Sequence, residues 1–261
     1  MSDSTDERNT IAASYQNGVL RIVLKRAPLN VLNIAMMREL KEVLESNATA
    51  NEARVLALQG EGKAFCAGVD VAEHTPDRVS EMLEAFHSLI RLVRSYPIPT
   101  VALVHGAALG GGAELACACD LVLAGEAARF GQPEILLGVF PPVAMVDLPR
   151  SIGMRKAAEL IFCGETISAR EALAMGLVNR VFPAESFLEH AGEYLRKFTR
   201  LSRSSLAQTK KAFQKVTAEI DYEKALQLAE SHYLQDLMVT EDAREGIASF
   251  MEKREAVWRH R

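Results

Sequence analysis

The feature that most limits the fold of this chain is a change of hydrophobic rhythm near residue 184. Before it, apolar residues switch between the two-residue alternation of strands and the 3.6-residue stripe of helices; after it, only the helical stripe remains. "GVLRIVLKR" (18–26) reads as a strand, and "APLNVLN" turns the chain into a helix, "IAMMRELKEVLES". "ARVLALQGEG" is a second buried strand. The loop "KAFCAGVDVAEHTP" leads to an amphipathic helix over about 77–95, with Met82, Phe86, Leu89 and Val93 on one stripe. "YPIPTVALVHG" supplies another strand, and three glycines open the next helix. "DLVLAGEAARFGQPEI" reads as strand and turn, and "MRKAAELIFCG" as a short helix. "SAREALAMGLVNRVFP" reads as a helix N-capped by Ser168, a break at Gly176 and a last strand. The rest is "ESFLEHAGEYLRKFT", "SSLAQTKKAFQKVTAEI", "YEKALQLAESHYLQDLM" and "TEDAREGIASFMEKREAVW", all helical. The chain therefore predicts one α/β core followed by a helical tail that packs on a neighbour, with no internal repeat.

At 261 residues such a core needs no disulfide or metal staple. A net charge of −4 gives no basic face, so nucleic acid and anionic membranes are not expected partners. The four cysteines, Cys66, Cys117, Cys119 and Cys163, form no C-x-x-C pair and read as small buried hydrophobes in a reducing compartment. The start, "MSDSTDERNT", is polar and acidic, is expected to fray, and carries no secretory signal. No apolar run approaches the ~18 residues of a membrane span, and the expected location is cytoplasmic.

The chemistry concentrates in "VHGAALGGGAELACACD" (104–120). Glycines ahead of a helix let backbone N–H groups approach a ligand, and the helix N-terminus adds partial positive charge. The spacing matches neither the dinucleotide nor the P-loop pattern, so a developing oxyanion suits it better than a standing phosphate. Glu114 falls in the first turn of this helix. A carboxylate gains there from the helix dipole without any function, but its neighbours Leu109, Ala113, Leu115, Ala116 and Cys117 are apolar, and burying a charge among them is costly without a purpose. Glu134, in "GQPEILLG", reads equally well as a solvated turn residue or as a second active carboxylate. His105 reads as a structural histidine, and with no suitably spaced second ligand no metal site is expected.

Four segments, "GKAFCAGVDVAE", "HGAALGGGAELACACDLVLAGEAARFGQPEILLG", "ISAREALAMGLVNRVFP" and "EDAREGIASFMEKR", resemble in order the motifs of the crotonase, or enoyl-CoA hydratase/isomerase, superfamily. The likeness runs from about residue 12 to the C-terminus. It implies an α/β fold, a crotonase-type spiral of β-β-α units over 1–195, and a C-terminal helical trimerisation region over 196–261. It also implies a homotrimer, or a homohexamer built as a dimer of trimers. The implied substrate is an acyl-CoA thioester whose carbonyl oxygen lies between the N–H groups of Val69 and Gly111. Glu114 and Glu134 correspond to the two glutamates of the hydratases, at the hydratases' spacing. The CoA moiety is expected along Ala64 and along Val69, Asp70, Val71 and Ala72, with Lys253 and Arg254 meeting its phosphates or simply lying on a solvated helix face. Coenzyme A is part of the substrate, and no further cofactor is expected.

The chain departs from the usual hydratase pattern after "PEILLG", where "VFPPVAMVDLPRSIG" replaces a glycine-rich run. Pro141 and Pro142 stiffen the wall expected beside the acyl β-carbon. This loop, and "PLNVLNIAMMRELKEVL", resemble hydratases that act on cyclohexa-1,5-diene-1-carbonyl-CoA. Asp147 is an added carboxylate, expected to cap the helix after Pro142 or else to face the pocket. The expected reaction is reversible addition of water to an α,β-unsaturated or cyclic dienoyl-CoA thioester. The alternatives are a thioester isomerase or hydrolase on the same scaffold, or a non-catalytic acyl-CoA- or RNA-binding relative.

Overall fold

The computed structural model describes residues 5–7, 9–49, 52–201, 203–217, 221–224, 227, 230 and 233–257. A hairpin opens the fold. β2 (Ile11–Gln16) and β3 (Val19–Leu24) pair antiparallel across Asn17-Gly18, whose positive φ values of 52° and 82° make the two-residue turn that matches strand twist. β1 (Thr5–Glu7) adds to β2, so part of the N-terminal stretch expected to fray is paired backbone.

From β3 the sheet continues in parallel through β4 (Val55–Gly60), β5 (Thr100–Val104), β7 (Leu121–Gly125) and β10 (Arg180–Phe182). A second, three-stranded sheet holds β6 (Ala107–Leu109), β8 (Arg129–Gly131) and β9 (Thr166–Ser168). The chain passes from β5 in one sheet to β6 in the other through His105 and Gly106. Gly106 has φ +60°, and a Cβ there would stand 1.9 Å from the Lys63 carbonyl oxygen, so only glycine makes this corner. After β6 comes helix α3 (Gly111–Ala118), which completes one β-β-α turn of the spiral. β7 and β8 repeat the step and end in a 3-10 turn, Pro133–Leu137.

The central strands β4, β5 and β7 are apolar on both faces because both are covered. On one face Ile22, Leu56, Leu58 and Ala102 pack with α1 (Ile34–Asn47) and α2 (Val79–Ser95). On the other, Val55, Ala57, Val101, Leu103 and Leu123 pack with Phe187, Ala191 and Leu195 of α7 (Phe187–Thr199). α7 runs across the expected division at 195/196. α4 (Pro142–Ile152), α5 (Met154–Cys163) and α6 (Ala169–Ala174) fill the stretch between, and α6 starts with the anticipated Ser168 cap, here a full capping box with Glu171.

Beyond α7 the described residues hold α8 (Arg203–Thr217), a single π-helical turn, Tyr233–Leu237, and α9 (Glu241–Glu252). Residues 225, 226, 228, 229, 231 and 232 of the helix expected over "YEKALQLAESHYLQDLM" lie outside the described residues. No helix among the described residues is long and apolar enough to cross a membrane. Two sequence expectations are corrected. Cys163 is exposed and Cys117 half-buried, because each sits at or near a helix end. Asp147 lies past the first turn of α4, too far along the helix to cap it, and instead is buried against Arg94 of α2, with both carboxylate oxygens 3.1 Å from Nη1.

Candidate active site

The glycine cluster works because neighbouring segments come too close for any side chain. A Cβ on Gly112 would lie 2.0 Å from the Cys66 carbonyl oxygen, and one on Gly111 would lie 2.5 Å from Cγ2 of Val69. α3 therefore starts hard against the Cys66–Val69 loop, which brings Val69 and Gly111 side by side. Gly110, at φ +50°, donates to the Gly131 carbonyl (2.9 Å), which ties the start of α3 to β8. Among the described residues, neither the Val69 N–H nor the Gly111 N–H donates to another protein group. Gly111 is the first residue of α3, where N–H groups have no intrahelical acceptor.

Glu114 lies in the first turn of α3 and is 4% exposed. Its Oε1 accepts a hydrogen bond from the Ala144 N–H at 2.8 Å. Ala144 is in the first turn of α4, behind Pro141 and Pro142, so a free N–H of a second helix terminus satisfies this carboxylate. Burial and then the charge of Glu134 push the Glu114 carboxyl well above the usual carboxylate range, with the Ala144 hydrogen bond opposing.

Glu134 comes from the 3-10 turn that Pro133 begins and Gly138, in the left-handed region, ends. Its Oε1 rests on Gly110, where a Cβ would lie 2.5 Å away. Its Oε2 is buried and has no hydrogen-bond partner among the described residues. Burial pushes this carboxyl up to about 7. The structure thus brings the two glutamates, twenty residues apart in the chain, onto one cavity of about 520 Å³. Asp147, also pushed up by burial and held down by Arg94, adds negative charge behind Glu114 but does not line the cavity.

Of the other expected site residues, Val69, Val71 and Gly111 line the cavity. Ala64, Asp70 and Ala72 do not. The Ala64 carbonyl accepts from Asn30 Nδ2 at 2.8 Å, and Asp70 caps the short 3-10 helix Val71–Glu73 by accepting from the Ala72 N–H. Lys253 is the left-handed C-cap of α9 (φ +54°) and stays outside the cavity, whereas its neighbour Arg254 lines it, paired with Glu245 (Nη2 to Oε2, 2.8 Å) and Glu252.

Sequence reasoning missed much of the wall. Met82 and Phe86 were legible only as a core stripe of α2, and that stripe also closes the cavity. His74, Phe140 and Tyr233 line it as well, and Tyr233 sits in a tail that showed only helical periodicity.

Comparison with known proteins agrees with this architecture. The model of the enoyl-CoA hydratase/isomerase family matches residues 14–261. Among curated relatives, the cyclohexa-1,5-dienecarbonyl-CoA hydratase of Thauera aromatica is 36% identical over 245 residues, 93% of each chain. The 2,3-dehydroadipyl-CoA hydratase of Escherichia coli K12 is 38% identical over 250 residues, 94% of this chain and 96% of the relative. A crystal structure of an enoyl-CoA hydratase from Mycobacterium avium subsp. paratuberculosis K-10 superposes with a TM-score of 0.86 at 28% identity, covering 96% of this chain and 98% of that one. The chain belongs to the enoyl-CoA hydratase/isomerase family, with the crotonase fold.

Proposed function

We propose that this protein adds water reversibly to the double bond of an α,β-unsaturated acyl-CoA thioester, through Glu114 and Glu134 acting together. The observation that carries the reading is the pair itself. A buried carboxylate and a half-buried one, both held above their ordinary range, face one cavity beside two backbone N–H groups that no acceptor among the described residues uses. Burying two carboxylates without ion-pair partners is destabilising, and such sites are where acid–base chemistry is found.

In this mechanism the pair carries one proton between pKa values that belong to it as a unit. The ionised member takes a proton from water as the water oxygen bonds to the β-carbon. Electrons shift through the α-carbon onto the thioester oxygen, where the Val69 and Gly111 N–H groups hold the enolate. The protonated member then delivers its proton to the α-carbon, and the sum is one water added. Donors fixed in place by backbone geometry need no reorganisation as charge develops, and losing one is worth about 10²–10³ in rate in comparable sites.

The finer reading is a cyclic dienoyl thioester. Its support is the wall formed by Phe140, Pro141 and Pro142 together with Phe86, a stiff apolar slot suited to a flat ring, and the likeness to the Thauera aromatica hydratase. Arg254 at the cavity wall, and Lys253 beside it, are the cations we assign to the CoA phosphates, in this subunit or a neighbouring one. Trimeric or hexameric assembly fits the exposed Leu136, Met154 and Phe162 around α5, apolar surface that a second copy would cover.

The test is incubation with crotonyl-CoA and cyclohexa-1,5-diene-1-carbonyl-CoA in one tube, each thioester followed by mass spectrometry for the gain of one water. Water on the cyclic diene alone supports the ring-binding wall. Water on crotonyl-CoA points to linear substrates, and no gain on either overturns the hydratase reading.

A further inference from the structure

The cavity holds a polar group that the two-carboxylate mechanism leaves unused. Tyr233 is 1% exposed, lines the cavity, and stands edge-on to Phe140 with ring centroids 5.1 Å apart. Its hydroxyl makes no hydrogen bond to a protein group among the described residues, and it is not one of their fully buried unpartnered atoms, as suits a group at a cavity wall.

Its place in the fold is fixed from two sides. Phe140, which it packs against, directly precedes Pro141, the N-cap of the helix that holds Glu114. Tyr233 opens the π-helical turn ahead of α9, and α9 lies so close to the turn carrying Glu134 that a Cβ on Gly246 would be 1.6 Å from the Leu137 carbonyl oxygen. Single π-turns of this kind occur often at functional sites. Burial and the charges of Glu134 and Glu114 raise the phenol further, so it stays a neutral donor wherever the enzyme works. In the same cavity Glu134 Oε2 is a buried oxygen without a hydrogen-bond partner among the described residues.

We propose that the Tyr233 hydroxyl, together with Glu134, binds the oxygen that is added to the acyl chain, first as water and then as the β-hydroxyl of the product. The inference rests on the hydration reading above. It makes Tyr233 a residue that recognises the 3-hydroxyacyl side of the equilibrium, since the unsaturated thioester carries no oxygen at that carbon.

Because the hydroxyl has no protein partner among the described residues, Tyr233→Phe leaves no orphaned group among them, and a purely structural role predicts no change in binding. The measurement is calorimetric binding of 3-hydroxybutyryl-CoA and butyryl-CoA to the wild-type protein and to Tyr233→Phe. The wild type is expected to favour the hydroxylated thioester roughly fivefold to tenfold, the worth of one hydrogen bond, and the variant to bind both alike. Steady-state kinetics give an independent readout: the variant loses kcat in hydration at unchanged KM for the unsaturated thioester, and in dehydration its KM rises at unchanged kcat. Equal binding of the two thioesters by the wild type, or a preference that survives in Tyr233→Phe, overturns the role of Tyr233 and leaves the hydratase reading standing. Binding of neither thioester, with no water added to crotonyl-CoA or to the cyclic diene, overturns both.

Discussion

Helix α3 and the 3-10 turn Pro133–Leu137 each bring one glutamate to the same cavity, yet they hold it in opposite ways. Glu114 is anchored, with its carboxylate fastened to the first turn of α4 by the Ala144 N–H. Glu134 is pressed against Gly110 with one oxygen and presents the other unpartnered. Burial raises both, but only Glu114 has a hydrogen-bond donor from another element to offset the cost. The difference shows how one residue type acquires two characters: the anchored carboxylate has its position set by the scaffold, whereas the unpartnered one is free to bind what enters the cavity.

The largest expected effect comes from removing either charge. Glu114→Gln and Glu134→Gln should each lower kcat for hydration by about 10²–10⁴, measured on crotonyl-CoA or the cyclic diene. Retention of near-normal activity by one variant would reduce the pair to a single working carboxylate.

Gly110 is the contact between the two regions. Gly110→Ala puts a methyl where Glu134 Oε1 now lies, at a φ that side chains rarely adopt, and should cost about 10² in kcat by displacing that carboxylate. Circular dichroism on the same sample separates this from loss of fold.

A third contrast is in stability against pH. Burial pushes the Glu134 side of the pair up to about 7 from an ordinary value of 4.5, so the folded state binds the extra proton between those pH values. Its contribution is therefore fully present below 4.5 and is lost as pH rises to about 7. Denaturant titrations should show Glu134→Gln about 1–3 kcal/mol more stable than wild type at pH 8, with the gain vanishing near pH 4. A gain independent of pH would contradict the buried-carboxylate account.

The smallest effect concerns the ion pair behind Glu114. Arg94 is partly exposed, and it also stacks on Tyr222 with its guanidinium carbon 4.1 Å from the ring centroid. Arg94→Met should cost about 1–2 kcal/mol, less at pH 5 than at pH 8, because Asp147 left alone takes up a proton as pH falls. Thermal unfolding at the two pH values reads the difference.

How much of this was legible beforehand divides along the same two regions. Three consecutive glycines before an apolar helix announced close backbone approach, and Gly111 and Gly112 meet Val69 and Cys66 as that pattern requires. The pairing of Glu114 with Glu134 came from resemblance, since spacing along the chain does not reveal that β8 carries the turn back to Gly110. Asp147 was misjudged because a helix after two prolines suggested a cap, while its partner Arg94 is far away in sequence on α2. Tyr233 and Phe140 were invisible: an aromatic in a helical stripe looks the same whether it fills a core or faces a ligand.

The most direct test of the central claim is hydration in ¹⁸O-labelled water by the wild type, Glu114→Gln and Glu134→Gln, with the thioester product weighed by mass spectrometry. The two-carboxylate account predicts one labelled oxygen at the β-carbon with the wild type and almost none with either variant. Label appearing at the wild-type rate in one variant, or a free labelled acid in place of the thioester, would contradict it.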